Sequence, residues 1–112
     1  MEECIFCKIV RGEMKCSSVY EDNDFIAFRD INPQAPIHIL IIPKKHIAKL
    51  YDTEDISILG QLLNIATKLA KKEGIEENGY RIVINTNRNA GQSVEHLHLH
   101  LLGGRVMQWP PG

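Results

Sequence analysis

The 112-residue chain is poor in the features that mark membrane, secreted or strongly charged proteins. Its longest apolar run, Ile37 to Ile42, is broken by His38 and stopped by Pro43. A membrane-spanning helix needs roughly 20 such residues, so no transmembrane segment is expected. The opening Met1-Glu2-Glu3 is acidic and lacks the cationic start and apolar core of a secretory signal, which points to the cytoplasm. The only cysteines are Cys4, Cys7 and Cys16. That odd number in a reducing compartment argues against a disulfide scaffold and leaves Cys16 as a plain thiol. Thirteen Lys+Arg stand against fourteen Asp+Glu, a net charge of -1. No global positive field exists to hold nucleic acid or an anionic membrane, and any anion must be bound locally. A zinc-finger-like nucleic-acid module is disfavoured on the same ground, because basic residues cluster on no predicted face. Repeats, low-complexity tracts and Gly/Ser/Pro-rich linkers are missing too, so residues 1–112 read as a single domain.

What is present is the composition of an ordinary globular domain, 44% hydrophobic and 24% charged. Cys4 to Arg11 places Ile5, Phe6, Ile9 and Val10 at helical spacing before Gly12, which predicts a short helix. Val19-Tyr20 and Phe25 to Phe28 flank the polar turn Glu21 to Asp24 and read as a hairpin. After the breaker segment Asn32 to Pro36, the β-branched run Ile37 to Ile42 predicts a central, buried strand. One long helix is predicted from near Asp52-Thr53, with Glu54 and Asp55 in its first turn. Its buried stripe would be Ile56, Leu59, Leu62, Leu63, Ala66, Leu69 and Ala70. Lys68, Lys71 and Lys72 suit its C-terminal end before Gly74. Tyr80 to Ile84 and His96 to Leu102 read as two more strands, separated by turn-rich Asn85 to Gly91. The sum is an α+β domain, an antiparallel sheet with the long helix on one face.

The chemistry concentrates in His96-Leu97-His98-Leu99-His100-Leu101-Leu102. Alternation along a strand puts all three imidazoles on one face and the leucines in the core. Alternate side chains lie about 6.6 Å apart, too far to grip one small atom but well spaced for neighbouring tasks along a cleft. Just upstream, Asn89-Ala90-Gly91-Gln92-Ser93 supplies amide N–H groups and a hydroxyl. Donors already facing developing charge are what acyl or phosphoryl transfer requires. A neutral imidazole is a competent nucleophile near neutrality, and attack on phosphorus splits one hard displacement into two easier ones. Activity that depends on a neutral imidazole in this run would fall below about pH 6 to 6.5, the ordinary histidine range.

The run from His96 to Leu102 resembles, at every position, the signature of the histidine triad (HIT) superfamily. Further segments resemble its histidine triad nucleotide-binding branch: Cys4 to Ile9, Ala27 to Pro36, Ile42 to Ile47, Ala90 to Val94 and Gln108-Trp109-Pro110-Pro111-Gly112. That resemblance implies an antiparallel sheet continued across a homodimer, and hydrolysis of the P–N bond of purine nucleoside 5′-phosphoramidates through a nucleotidyl-histidine. By resemblance His98 is the nucleophile, His100 and Ser93 hold phosphate oxygens or the departing group, and His38 completes the catalytic set. Asn85 matches an asparagine near the phosphate, where the amides around Gly91, Gln92 and Ser93 would receive negative charge. Asp30 matches the acceptor of both ribose hydroxyls. Phe6, Ile9, Phe28 and Ile31 match the walls of the base pocket, although each could equally be ordinary core. Arg29 stands where some relatives carry a histidine. Trp109, in a tail that reaches the partner protomer's site in this branch, is expected to influence substrate choice.

Cys4-x-x-Cys7 has the spacing of half a zinc site, which two imidazoles would close as a tetrahedral Cys2His2 set. The resemblance points to His46 and His96. Such a site has no open coordination position, so zinc is expected to be structural, with no cofactor required for catalysis. The competing reading is two buried thiols and a surface histidine beside Lys44 and Lys45. Two functional alternatives also stand: a dinucleoside polyphosphate hydrolase, and a nucleotide- or zinc-binding module with little turnover.

Overall fold

The computed structural model describes residues 4–112; the acidic Met1-Glu2-Glu3 opening lies outside the described residues. In chain order the elements are α1 (Ile5–Val10), β1 (Ser18–Glu21), β2 (Phe25–Arg29), β3 (Ile37–Pro43), α2 (Ser57–Lys72), β4 (Tyr80–Val83) and β5 (Leu99–Gly103). Single 3-10 turns at Leu50–Asp52 and Arg88–Ala90 fill the connections before α2 and before β5. The five strands form one antiparallel sheet in the order β1-β2-β3-β5-β4. The α+β expectation therefore stands. No helix among the described residues is long and apolar enough to cross a membrane.

Local chemistry sets the short elements. Cys4 caps α1, its Sγ accepting the Cys7 N–H at 3.4 Å. The β1–β2 turn is built by Asp22, whose Oδ1 accepts the N–H groups of Asp24 and Phe25 at 2.8 and 2.7 Å. α2 begins at Ser57, later than the pattern predicts, because Asp55 takes the Ser57 N–H and hydroxyl and acts from outside the first turn. Its stripe also differs: Ile56 and Leu63 are exposed, whereas Ile65 joins Leu62, Ala66, Leu69 and Ala70 in the buried face.

The sheet separates two apolar clusters. Between sheet and α2 lie Phe25, Ala27, Ile39, Ile41, Leu62, Ala66, Leu69, Leu97, Leu99 and Leu101, with others around them. On the opposite face Phe6 of α1 packs with Ile26, Phe28, Leu40 and Ile42. Leu97, Leu99 and Leu101 are each essentially fully buried, and truncating one to alanine should cost about 2 to 5 kcal/mol. The alternation thus drives three leucines into the α2 core and turns the intervening histidines to the α1 face. Only the second half of the run is regular strand. His96, Leu97 and His98 lead into β5 but keep its alternating orientation. At the far end, a Cβ on Gly103 would sit 2.6 Å from Ile75 Cδ1 and 3.1 Å from Ile75 Cβ, so glycine lets β5 pass close beneath the turn that follows α2.

Candidate active site

Cross-strand register assembles the site. Phe28 pairs with Leu40, and Leu40 pairs with His100, so β2, β3 and β5 present these side chains in one row on the α1 face. His38, two residues before Leu40, shares that face and lies diagonal to His100. Its Nε2 is 3.0 Å from His100 Nδ1 and 3.4 Å from Asp30 Oδ2. Phe6 crosses above, with its ring centroid 5.1 Å from His98 and 5.6 Å from Phe28, both edge-on. His98 and His100 stand 5.0 Å apart between ring centroids.

The protonation pattern follows from fixed backbone donors and acceptors. The Gln34 N–H donates to His38 Nδ1 at 3.0 Å. His38 must then carry its proton on Nε2, where it donates to His100 Nδ1. That leaves His100 with its own proton on Nε2. In His98 the order is reversed: Nδ1–H donates to the His96 carbonyl at 2.7 Å, freeing the Nε2 lone pair. Burial pushes His38, His98 and His100 below the ordinary histidine value, His100 to about 4, and the charge of Asp30 opposes the shift in each. All three are therefore neutral near pH 7.

These groups open on a cleft of about 350 Å3 lined by Phe6, Ile9, Phe28, Asp30, Ser93, His98 and His100 among others. A hollow of about 650 Å3 beneath β4 is larger, but among the described residues that line it there is no histidine, cysteine or carboxylate. Chemistry, not size, locates the site. Ile31 stands at the cleft rim, almost wholly exposed. The guanidinium of Arg29 is held in a double hydrogen bond by Glu73, 3.0 Å on each arm, on the α2 side. Asn85 follows β4, and Gly91 and Gln92 lie in the loop before Ser93; none of the three lines the cleft. Gln92 instead builds the loop: its amide donates to the carbonyls of Ala48 and Val94 and its oxygen accepts the Asn87 N–H. That grip holds Asn87 at φ 66 and lets Gly91, at φ 84, turn the chain toward Ser93. Trp109 is exposed in the tail, with the Arg81 guanidinium 6.0 Å from its ring centroid. The sequence pattern misses Ile5, Met14, Lys15, Cys16, Leu40 and Val94 as cleft residues. They arrive by tertiary contact and carry no local signal.

A second cluster sits behind Phe6. Cys4 Sγ is 3.4 Å and Cys7 Sγ 3.6 Å from His96 Nδ1, and Cys7 Sγ is 3.2 Å from His46 Nδ1. The four donor atoms all lie within 4.8 Å of one another. The S···N edges of a tetrahedral zinc site are about 3.6 Å, given Zn–S near 2.3 Å and Zn–N near 2.0 Å. His96 donates Nε2–H to the Pro43 carbonyl at 2.8 Å, which aims its Nδ1 lone pair at the sulfurs. The residues present fit a four-coordinate metal. Asp30, His38 and His100 also converge, but His38 has spent Nδ1 on a backbone N–H and could offer Nε2 to a metal only as an imidazolate. They form a hydrogen-bond chain.

The HIT domain family model matches residues 11–107. The chain belongs to the HIT family. It is 53% identical to the purine nucleoside phosphoramidase of Escherichia coli K12, over 95% of this chain and 91% of that one. It is 55% identical to the 14 kDa zinc-binding protein of Zea mays, covering 96% of this chain and 87% of the relative. Among solved structures, the HIT family hydrolase of Legionella pneumophila superposes with a TM-score of 0.95 at 56% identity, covering 98% of this chain and all of the other. The HIT fold thus accounts for the sheet, the long helix and the face on which the histidines gather.

Proposed function

We propose that this HIT protein hydrolyses purine nucleoside 5′-phosphoramidates through a nucleotidyl-His98 intermediate, working as a homodimer braced by structural zinc. The observation that carries the reading is the Nδ1–H bond from His98 to the His96 carbonyl, which leaves Nε2 as a free lone pair beside Ser93 and His100. His98 Nε2 attacks the α-phosphorus as the bond from phosphorus to nitrogen breaks. The nitrogen departs as an amine, taking its proton from the Ser93 and His100 side of the cleft. Water then attacks phosphorus, the bond to His98 breaks, and the proton of that water replaces the one given up. The His96 carbonyl stabilises the positive charge that His98 gains on attack.

Asp30 and His38 shape this machinery. Asp30 Oδ1 already accepts the Asn32 N–H at 2.8 Å, which fixes the carboxylate at the cleft with a lone pair free for ribose hydroxyls. The chain from Gln34 through His38 orients His100 so that Nε2–H points at the phosphoryl group. Gly91 and Gln92 act by placing the Ser93 loop, and Asn85 keeps the place near the phosphate that the family resemblance gives it. Cys4, Cys7, His46 and His96 would hold zinc. When bound, zinc supplies a closed crosslink between α1, the segment after β3 and the lead-in to β5. The relative named as a phosphoramidase and the one named as zinc-binding both support the reading. β4, an edge strand of the sheet, is where a second copy would extend it.

The test is intact mass after rapid quenching with adenosine 5′-phosphoramidate. A nucleotidyl adduct in the wild-type protein, absent from His98→Ala, is expected. Turnover by His98→Ala would overturn the assignment. A dinucleoside polyphosphate cleaved faster than the phosphoramidate would favour the polyphosphate hydrolase instead.

A further inference from the structure

We propose that Lys15 reads the purine edge and makes this enzyme prefer guanine to adenine; the proposal takes from the reading above only that a purine nucleotide fills the cleft. Among the described residues, the charged ones that line that cleft are Lys15, Arg29 and Asp30. The Arg29 guanidinium is consumed by Glu73, and strand alternation turns it away from the histidines. Asp30 is committed to the Asn32 N–H and His38. Lys15 has no hydrogen-bond or ion-pair partner among the described residues and stands in solvent at the cleft wall.

Its place in the cleft selects the base. Met14, Lys15 and Cys16 all line the wall and come from the link between α1 and β1, whose Cys16 packs, with Ile9 of α1, on the apolar cluster of Phe6 and Phe28. The phosphate end is occupied by His98, His100 and Ser93. An ammonium group has three donors and no acceptor. Guanine offers two acceptors, N7 and O6, on the edge where adenine offers N7 beside a donating amino group. Lys15 can satisfy both guanine atoms, but it meets the adenine amino group donor to donor. A charge-assisted contact at so exposed a position is worth about a tenfold preference.

The experiment compares kcat/KM for guanosine, inosine and adenosine 5′-phosphoramidates in wild-type protein, Lys15→Met and Lys15→Arg, with the affinities of GMP, IMP and AMP measured by calorimetry. Inosine keeps N7 and O6 but lacks the 2-amino group, so it isolates the edge in question. The expected result is guanosine and inosine together about tenfold above adenosine, falling to within about twofold in Lys15→Met through loss on the first two. Lys15→Arg should retain the ranking. An equal loss on all three bases would mean general attraction of the phosphate and would overturn the proposal, as would a wild-type protein without preference. If no phosphoramidate turns over but the nucleotide affinities rank and flatten as described, the catalytic reading fails and the Lys15 assignment survives. Turnover without base ranking would do the opposite, sparing the catalytic reading and removing the Lys15 assignment.

Discussion

His96 and His98 are two residues apart, face the same side of the sheet and are both buried, yet they sit in two regions with different chemistry. Each donates one ring N–H to a main-chain carbonyl. His96 uses Nε2, to Pro43, and so aims Nδ1 at two cysteines; His98 uses Nδ1, to His96, and so aims Nε2 at the cleft. The carbonyl chosen decides which ring nitrogen keeps its lone pair, and whether that lone pair faces two thiols or the cleft. Phe6 stands between the two, edge-on to both rings at 5.8 and 5.1 Å between centroids. One end of the histidine run therefore reads as a brace and the other as a reaction centre, and each can be broken without the other.

The reaction centre should break hardest. His98→Ala removes the only ring nitrogen aimed at the cleft as a free lone pair, and kcat/KM for a nucleoside phosphoramidate should fall at least about a thousandfold. Thermal unfolding measured alongside should show a far smaller change than activity. A residual rate within tenfold of wild type would mean that water attacks phosphorus directly.

The brace should break differently. If zinc fills the Cys4, Cys7, His46 and His96 cluster, removing it with a chelator, or replacing Cys7 with serine, should lower Tm by about 10 °C or more, since 1 kcal/mol is worth about 4 to 8 °C in a domain near this size. The kcat of protein still folded at 25 °C should change less than about threefold. Equal loss of kcat and Tm would erase the distinction between the two ends.

Much of this contrast is legible in the order of the residues. Strict alternation in His96 to Leu102 puts the histidines on one face, and Cys4-x-x-Cys7 announces half a metal site. Which histidine serves which end comes from resemblance to the HIT family, because the choice depends on carbonyls of Pro43 and His96 that no side-chain pattern encodes. The pattern misplaces the start of α2 for a local reason: Asp55 looks like a first-turn acid but precedes the helix, where its Oδ1 accepts the Ser57 N–H and hydroxyl. The stripe drifts with it, so that Ile65 is left out and Ile56 and Leu63 are assigned to the core. Lys15 and Cys16 are unreadable as cleft residues because α1 brings their segment to the sheet through space.

His38 connects to the reaction centre through His100 and should show an intermediate effect. His38→Phe keeps the ring but removes the Nε2–H that orients His100, so kcat should fall about 10- to 100-fold with little change in KM. His38→Gln, which keeps a donor, should recover part of the loss. A pure KM effect would assign His38 to substrate binding instead.

Acid should reach the reaction centre gradually. With His38, His98 and His100 held below the ordinary value, chiefly by burial, the folded protein binds fewer protons than the unfolded chain as pH falls below about 6.5. Their contribution to stability is complete above that pH and declines toward pH 4, near which His100 titrates in the folded state. The acid limb of kcat/KM should accordingly lie below the pH 6 to 6.5 expected of a solvated histidine. A limb at or above pH 6.5 would show that His98 is more hydrated than its burial implies.

The smallest effect should come from the tail. Trp109 is exposed, and the Arg81 guanidinium lies loosely over its ring, an arrangement worth about 0.5 to 1 kcal/mol at such a site. Ending the chain at Met107 should leave Tm within about 2 °C and alter the ranking of amine leaving groups by about two- to fivefold. If the tail serves the partner's cleft, a mixed dimer separates the roles. A truncated protomer with an intact His98, paired with a full-length His98→Ala protomer, has one live cleft and receives the tail from its neighbour. Wild-type ranking in that mixed dimer would place Trp109 across the interface; truncated ranking would return it to its own chain.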